Sequence, residues 1–136
     1  MKEESHQQVL KEVLDEISAA LKDEKGLQAH QRRLAFSLSL GAVNLLELYF
    51  HKLNIIKGGT QINHIWFNRK KETILDYLQN QLTSPIKEIE NIDKILDLLI
   101  KLEEKRDDLA YGSPVKNEIL QEKINLFFEL KKLTKC

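Results

Sequence analysis

Apolar residues in this chain recur at intervals of three and four, the spacing that gathers side chains on one face of an α-helix. Leu10, Val13, Leu14, Ile17 and Leu21 form one such stripe and predict a first helix over 5–22, broken by Asp23, Glu24, Lys25 and Gly26. A second helix is predicted over 27–56, stopping at Gly58 and Gly59, with a loop over 58–65. Phe67, Ile74, Leu75, Leu78 and Leu82 face inward on a third helix over 66–82, which either Asn63 or Asn68 could cap. Ser84 and Pro85 read as a cap followed by proline in the first turn. They predict a fourth helix that hesitates near Asn91, buries Ile92, Ile95, Leu96, Leu99 and Leu102, and ends at about Ala110 before Gly112. Ser113 and Pro114 repeat that start for a fifth helix carrying Val115, Ile119, Leu120, Phe127 and Leu133.

No segment alternates with the period of two that a half-buried strand requires. Neither a repeat nor a linker divides the chain. The expectation is one all-α domain over 1–136, an antiparallel four- to five-helix bundle whose short connections make neighbours antiparallel.

The 136 residues suffice for a core that needs no disulfide or structural metal. The single cysteine, Cys136, cannot form an internal bridge, which fits a reducing, cytoplasmic setting. The charged start, Met1 to Ser5, argues against a secretory signal. Ser39, Asn44 and Glu47 interrupt the most apolar stretch, so no membrane span is expected. Lys plus Arg and Asp plus Glu number 21 each. That balance argues against a dedicated DNA-binding protein. The histidines lack metal-binding spacing and no glycine-rich phosphate loop follows a strand, so no metal and no cofactor is expected.

Two features could carry chemistry. Apolar side chains cover most of the second helix, with Leu34, Leu38, Ala42, Leu45, Tyr49 and Leu53 on one side and Ala35, Leu46 and Phe50 beside them. The remaining wedge aligns Arg33, Ser37, Asn44, Glu47, His51 and Asn54. It is either the solvent side of a central helix or the lining of a cleft or subunit interface. The second feature is the segment Arg106, Asp107, Asp108, Leu109, Ala110, Tyr111. Arg106 follows Leu102 by four and Leu99 by seven, which puts it on or beside the buried stripe, where it needs a partner or a cleft. Tyr111 sits where the chain turns and can swing back towards Arg106. The competing reading is a charged helix end that complements the helix dipole.

This segment resembles the signature of the HEPN superfamily, the higher eukaryotes and prokaryotes nucleotide-binding domains. In that family an arginine, a polar residue, a few free positions and a histidine end the penultimate helix of a four- or five-helix bundle. Arg106, Asp107 and the spacing match, as do the polar residues embedded in a long second helix, Ser37, Asn44 and Glu47. The position of the family's histidine is Tyr111. The resemblance implies a homodimer whose cleft, lined by Arg106, Tyr111 and Glu47, binds a nucleotide, RNA or a nucleotidyltransferase partner of the toxin–antitoxin type. Catalytic members cleave RNA without metal. Tyrosine, with a pKa near 10, is a poor general base at neutral pH, which favours a non-catalytic domain. Two alternatives stay open. One is a ribonuclease using Arg106 with Tyr111 or His51; the other is a helical interaction protein with no ligand. The apolar girth of the second helix and the inward Arg106 place the second and fourth helices in the dimer interface.

Overall fold

The computed structural model describes residues 2–136, and they form an all-α bundle. Helix α1 spans Glu3–Lys22, α2 Gln31–Lys52, α3 Lys71–Gln79, α4 Ile92–Glu103, α5 Arg106–Tyr111 and α6 Asn117–Leu133. Three short 3₁₀ turns, Leu27–His30, His64–Asn68 and Ile86–Glu88, join them. Side-chain pairs set the directions. His6 meets Asn44 while Glu16 meets His30 and Arg33, so α1 and α2 are antiparallel. Ser39 meets Glu103 while Tyr49 meets Glu90, so α2 and α4 are antiparallel too. Gln28 meets Val115 and Lys52 meets Lys135, so α2 and α6 run parallel.

Helix α2 is the centre. Leu34, Leu45, Leu46 and Phe50 are completely buried on it, and one hydrophobic cluster runs from Leu10 on α1 to Leu130 on α6. By length and composition the stretch Leu27–Lys52 could cross a membrane, but 72% of its most apolar window is buried by the rest of the bundle. Its apolar girth is thus largely used inside the chain. Gly41 lets this happen. A Cβ there would lie 2.6 Å from Phe127 and 2.9 Å from Val13, so the absent side chain is what allows α1 and α6 to close on α2.

Four predicted boundaries are corrected. Helix α2 stops at Lys52 rather than 56, because Asn54 turns left-handed at φ 57° and the chain then leaves to pair Ile56 with Leu82. The third helix begins only at Lys71, after the turn at His64–Asn68, and Asn63 caps that turn by accepting from the Ile65 N–H. Pro85 opens a single 3₁₀ turn, and Asn91, left-handed at φ 62°, separates it from α4. Ser113 and Pro114 lie outside any helix, and α6 starts at Asn117. They are held instead by Gln31, whose Nε2 donates to the Leu109 and Ser113 carbonyls while its Oε1 accepts from the Val115 N–H.

The α1–α2 corner is clamped by His30, which lies 3.0 Å from Glu16 Oε1 and 2.8 Å from Asp23 Oδ2. Hydrogen bonding to Glu16, then to Asp23, raises the His30 pKa, against burial and the nearby Arg33. The Lys25 N–H, then His30, holds the Asp23 carboxyl below its usual range. A raised histidine contributes stability in full below its unfolded value of about 6.5 and loses it as pH rises through the folded value. A lowered aspartate contributes above about 3.9 and loses it as pH falls. The clamp therefore holds best in mildly acidic solution. Thermal melts between about pH 5.5 and 8.5 are expected to fall more steeply with rising pH for wild type than for His30→Gln. Parallel curves would contradict this assignment.

Candidate functional site

The α4 stripe does not continue through Arg106. Helix α4 ends at Glu103, Lys105 adopts the left-handed conformation at φ 61°, and Arg106 is the first residue of the separate helix α5. Its partly buried position comes from α2 instead. The guanidinium carbon lies 5.0 Å from the centre of the Phe36 ring, a cation–π arrangement. Nη1 pairs with Asp107 Oδ1 at 2.9 Å, and the buried Nε has no hydrogen-bond partner among the described residues. Tyr111 approaches the same Phe36 ring edge-on, 5.9 Å between centroids at 75°. Arg106 and Tyr111 are thus brought together by Phe36. Tyr111 is 72% and Phe36 40% exposed, so both rings offer faces to solvent.

Gln31 sets the position of α5. By bonding both sides of the α5–α6 turn, this buried amide fixes the end of α5 against the start of α2. Beside Gly112 and Pro114 of that turn, Arg32 and Arg33 border a groove of about 300 Å³. Three of the chain's four arginines therefore gather at this end: Arg32, Arg33 and Arg106, with Arg69 elsewhere. Arg33 also pairs with Glu16 at 3.1 Å.

The polar wedge on α2 is neither a solvent face nor the lining of the Arg106 site. It is divided along the helix. Arg33 belongs to the arginine-rich end, and Ser37 is half-buried one turn on. Asn44, Glu47 and His51 lie under the start of α1. His6, fully buried, donates from Nδ1 to Asn44 Oδ1 at 2.7 Å; Asn44 is oriented by its own donation to the Leu40 carbonyl. His6 Nε2 stands 3.3 Å from Glu47 Oε2, within ion-pair range but poorly aligned for a hydrogen bond. Glu47 Oε1 accepts from the Ile62 N–H at 2.6 Å, and the His51 ring packs 5.3 Å from that of His6. This cluster ties α1, α2 and the 53–70 connection together, so Glu47 does not join Arg106 and Tyr111 in one cleft.

A third polar group had no sequence signal. Ser39 Oγ donates to Glu103 Oε2 at 2.9 Å, and His64 Nδ1 meets Glu103 Oε1 at 2.6 Å. Ser39 reads as an interruption of an apolar stretch, and His64 lies in a predicted loop. Only the packing of α2 on α4 and the His64–Asn68 turn joins them. Phe36 was likewise missed: it lies beside the apolar majority of α2, and nothing local marks it as exposed. Among the described residues no cluster of three or more metal-binding side chains occurs.

No family model, no curated protein and no solved structure matches the chain.

Proposed function

We propose that this chain is a HEPN-like domain that binds single-stranded RNA at the Phe36, Arg106 and Tyr111 face without cleaving it. The observation that carries this reading is the pairing of an exposed tyrosine with an arginine laid on a half-exposed phenylalanine. Aromatic faces stack bases of any sequence, and a guanidinium engages phosphate through several parallel donors. Asp107 takes one guanidinium nitrogen and leaves others for a ligand. Arg32 and Arg33 extend the positive potential beyond Tyr111. Asp107 and Asp108 oppose a phosphate, so binding is expected to be modest and to weaken with salt. A phenol is a poor general base near neutral pH where an imidazole is a good one, which is the reason for proposing no cleavage.

The test is an RNA binding and degradation assay on wild type, Arg106→Ala and Tyr111→His. Wild type is expected to retain labelled RNA intact at neutral pH and Arg106→Ala to release it. Robust cleavage by wild type that disappears in Arg106→Ala would make the chain a ribonuclease and overturn the non-catalytic reading.

A second reading, docking of a protein surface and first of all a second copy of the chain, is favoured by a separate observation. Phe36, Leu40 and Val43 form an apolar stripe along α2, and Leu40 is 52% exposed. It leaves room for the expected homodimer, or for a nucleotidyltransferase partner, on the same face. Light scattering at micromolar concentration decides: a dimer disrupted by Leu40→Glu supports this reading, and a monomer removes it.

A further inference from the structure

One turn of α2 beyond Phe36 lies Leu40, about 6 Å further along the helix axis. There the 53–70 connection crosses α2 and, with the helix, borders a groove of about 420 Å³. Its apolar surface comes from Leu40, Val43, Ile62 and the half-buried ring of Trp66, and its polar surface includes His64. A volume near the lower end of the range for small-ligand sites suits one planar ring system.

His64 is set up to contact such a ring. Glu103, with 6% of its side chain exposed, accepts from Ser39 on one oxygen and faces His64 Nδ1 on the other. A carboxylate only accepts, so Nδ1 carries a proton and the ring orientation is fixed. This leaves Nε2 without a partner among the described residues, on a side chain 35% exposed at the groove. An imidazole held this way turns Nε2 to the edge of a base, which offers both donors and acceptors. Trp66 is itself braced by Tyr77, with ring centroids 5.3 Å apart, so it need not be immobilised on binding.

We infer that this groove is a second base subsite: a nucleobase stacks on Trp66 and hydrogen-bonds to His64 Nε2, continuing the strand held at Arg106. The inference rests on the single-stranded RNA reading given above, and Leu40 is the apolar bridge between the two subsites. It makes His64 and Trp66 binding residues and Glu103 a positioning residue acting through His64.

Trp66 is the only tryptophan in the chain, so its emission reports this groove alone. The experiment titrates the full chain with a fluorophore-labelled RNA octanucleotide and with a single nucleoside monophosphate, reading both anisotropy or competition and Trp66 emission. The octanucleotide is expected to quench Trp66 in wild type. Trp66→Leu is expected to weaken octanucleotide binding about ten-fold, and Trp66→Phe, which keeps a stacking face, by much less. Glu103→Gln, which loosens His64, is expected to weaken it with Trp66 quenching reduced. The monophosphate, which fills only the Arg106 subsite, is expected to bind all of them alike. Thermal melts confirm that each variant is folded; should Trp66→Leu unfold, the quenching of wild type and the Trp66→Phe and Glu103→Gln affinities decide. Octanucleotide binding that needs Arg106 but leaves Trp66 emission and these affinities unchanged would overturn the second subsite and leave the first. Failure of wild type to bind either probe would overturn both.

Discussion

Glu47→Ala is expected to cost about 1–3 kcal/mol of stability, the range for leaving a buried donor without its acceptor. The reason is the number of groups that depend on this carboxylate. His6, with no exposed surface, faces it at 3.3 Å, and the Ile62 N–H donates to it at 2.6 Å. Alanine strands the Ile62 amide in a place water reaches poorly, and it removes the tie that holds the 53–70 connection onto α2. Glu47→Gln keeps an acceptor for Ile62 and should cost less than half as much. Urea denaturation of both variants checks this. A loss below about 1 kcal/mol for Glu47→Ala would show that the cluster is not a structural lock, since that is no more than an exposed pair contributes.

Gly41→Leu is expected to prevent the native packing altogether. In the interior of α2 a glycine is otherwise a liability of about 1 kcal/mol relative to alanine. It is used here because a Cβ would stand 2.6 Å from Phe127 and 2.9 Å from Val13. Gly41→Ala therefore sets a gain in helix propensity against an overlap costing about 1–3 kcal/mol. Leucine adds three further carbons to a place with no room for the first. The decisive comparison is a double-mutant cycle. Phe127 is completely buried, so Phe127→Ala alone should cost about 3–5 kcal/mol. Combined with Gly41→Leu it should recover much of the loss, because the large side chain then occupies the vacated ring space. Strictly additive losses would mean that Gly41 and Phe127 do not share that space.

The helices were legible in the sequence where periodicity runs uninterrupted. Leu10, Val13 and Ile17 on α1 and Ile95, Leu96, Leu99 and Leu102 on α4 are buried as their spacing predicts. The ends were less legible because they depend on single backbone conformations. Nothing in Lys105 announces a left-handed residue, yet its φ of 61° separates α5 from α4 and changes what Arg106 faces. Ser113 and Pro114 have the composition of a helix start, but the distant Gln31 bonds the backbone on both sides of Pro114 and holds it outside the helix.

For the site, local spacing brought Arg106 and Tyr111 to one helix end. It could not supply Phe36, 70 residues before Arg106, on which both rest. The α2 wedge shows the opposite difficulty. Asn44, Glu47 and His51 share a helix face with Arg33 and Ser37, so they read as one site. The helix carries them past different neighbours, and His6 on α1 covers the far half. A face defined by angle alone does not say what lies over each turn.

The central claim is that Arg106 serves a ligand rather than the fold. Among the described residues its one ion pair is to the adjacent Asp107, whose side chain is 80% exposed, so losing the guanidinium should strand nothing buried. Loss of the contact with Phe36 and of that exposed pair should cost only about 1 kcal/mol. The most direct measurement is therefore a matched pair on Arg106→Ala: a denaturant melt, and a titration with labelled single-stranded RNA at low salt. The account predicts a melt close to that of wild type and RNA affinity reduced about ten-fold or more, as expected for losing a charge-assisted phosphate contact. A loss of several kcal/mol in the melt, with RNA bound equally by both proteins or by neither, would contradict it and make Arg106 a structural residue.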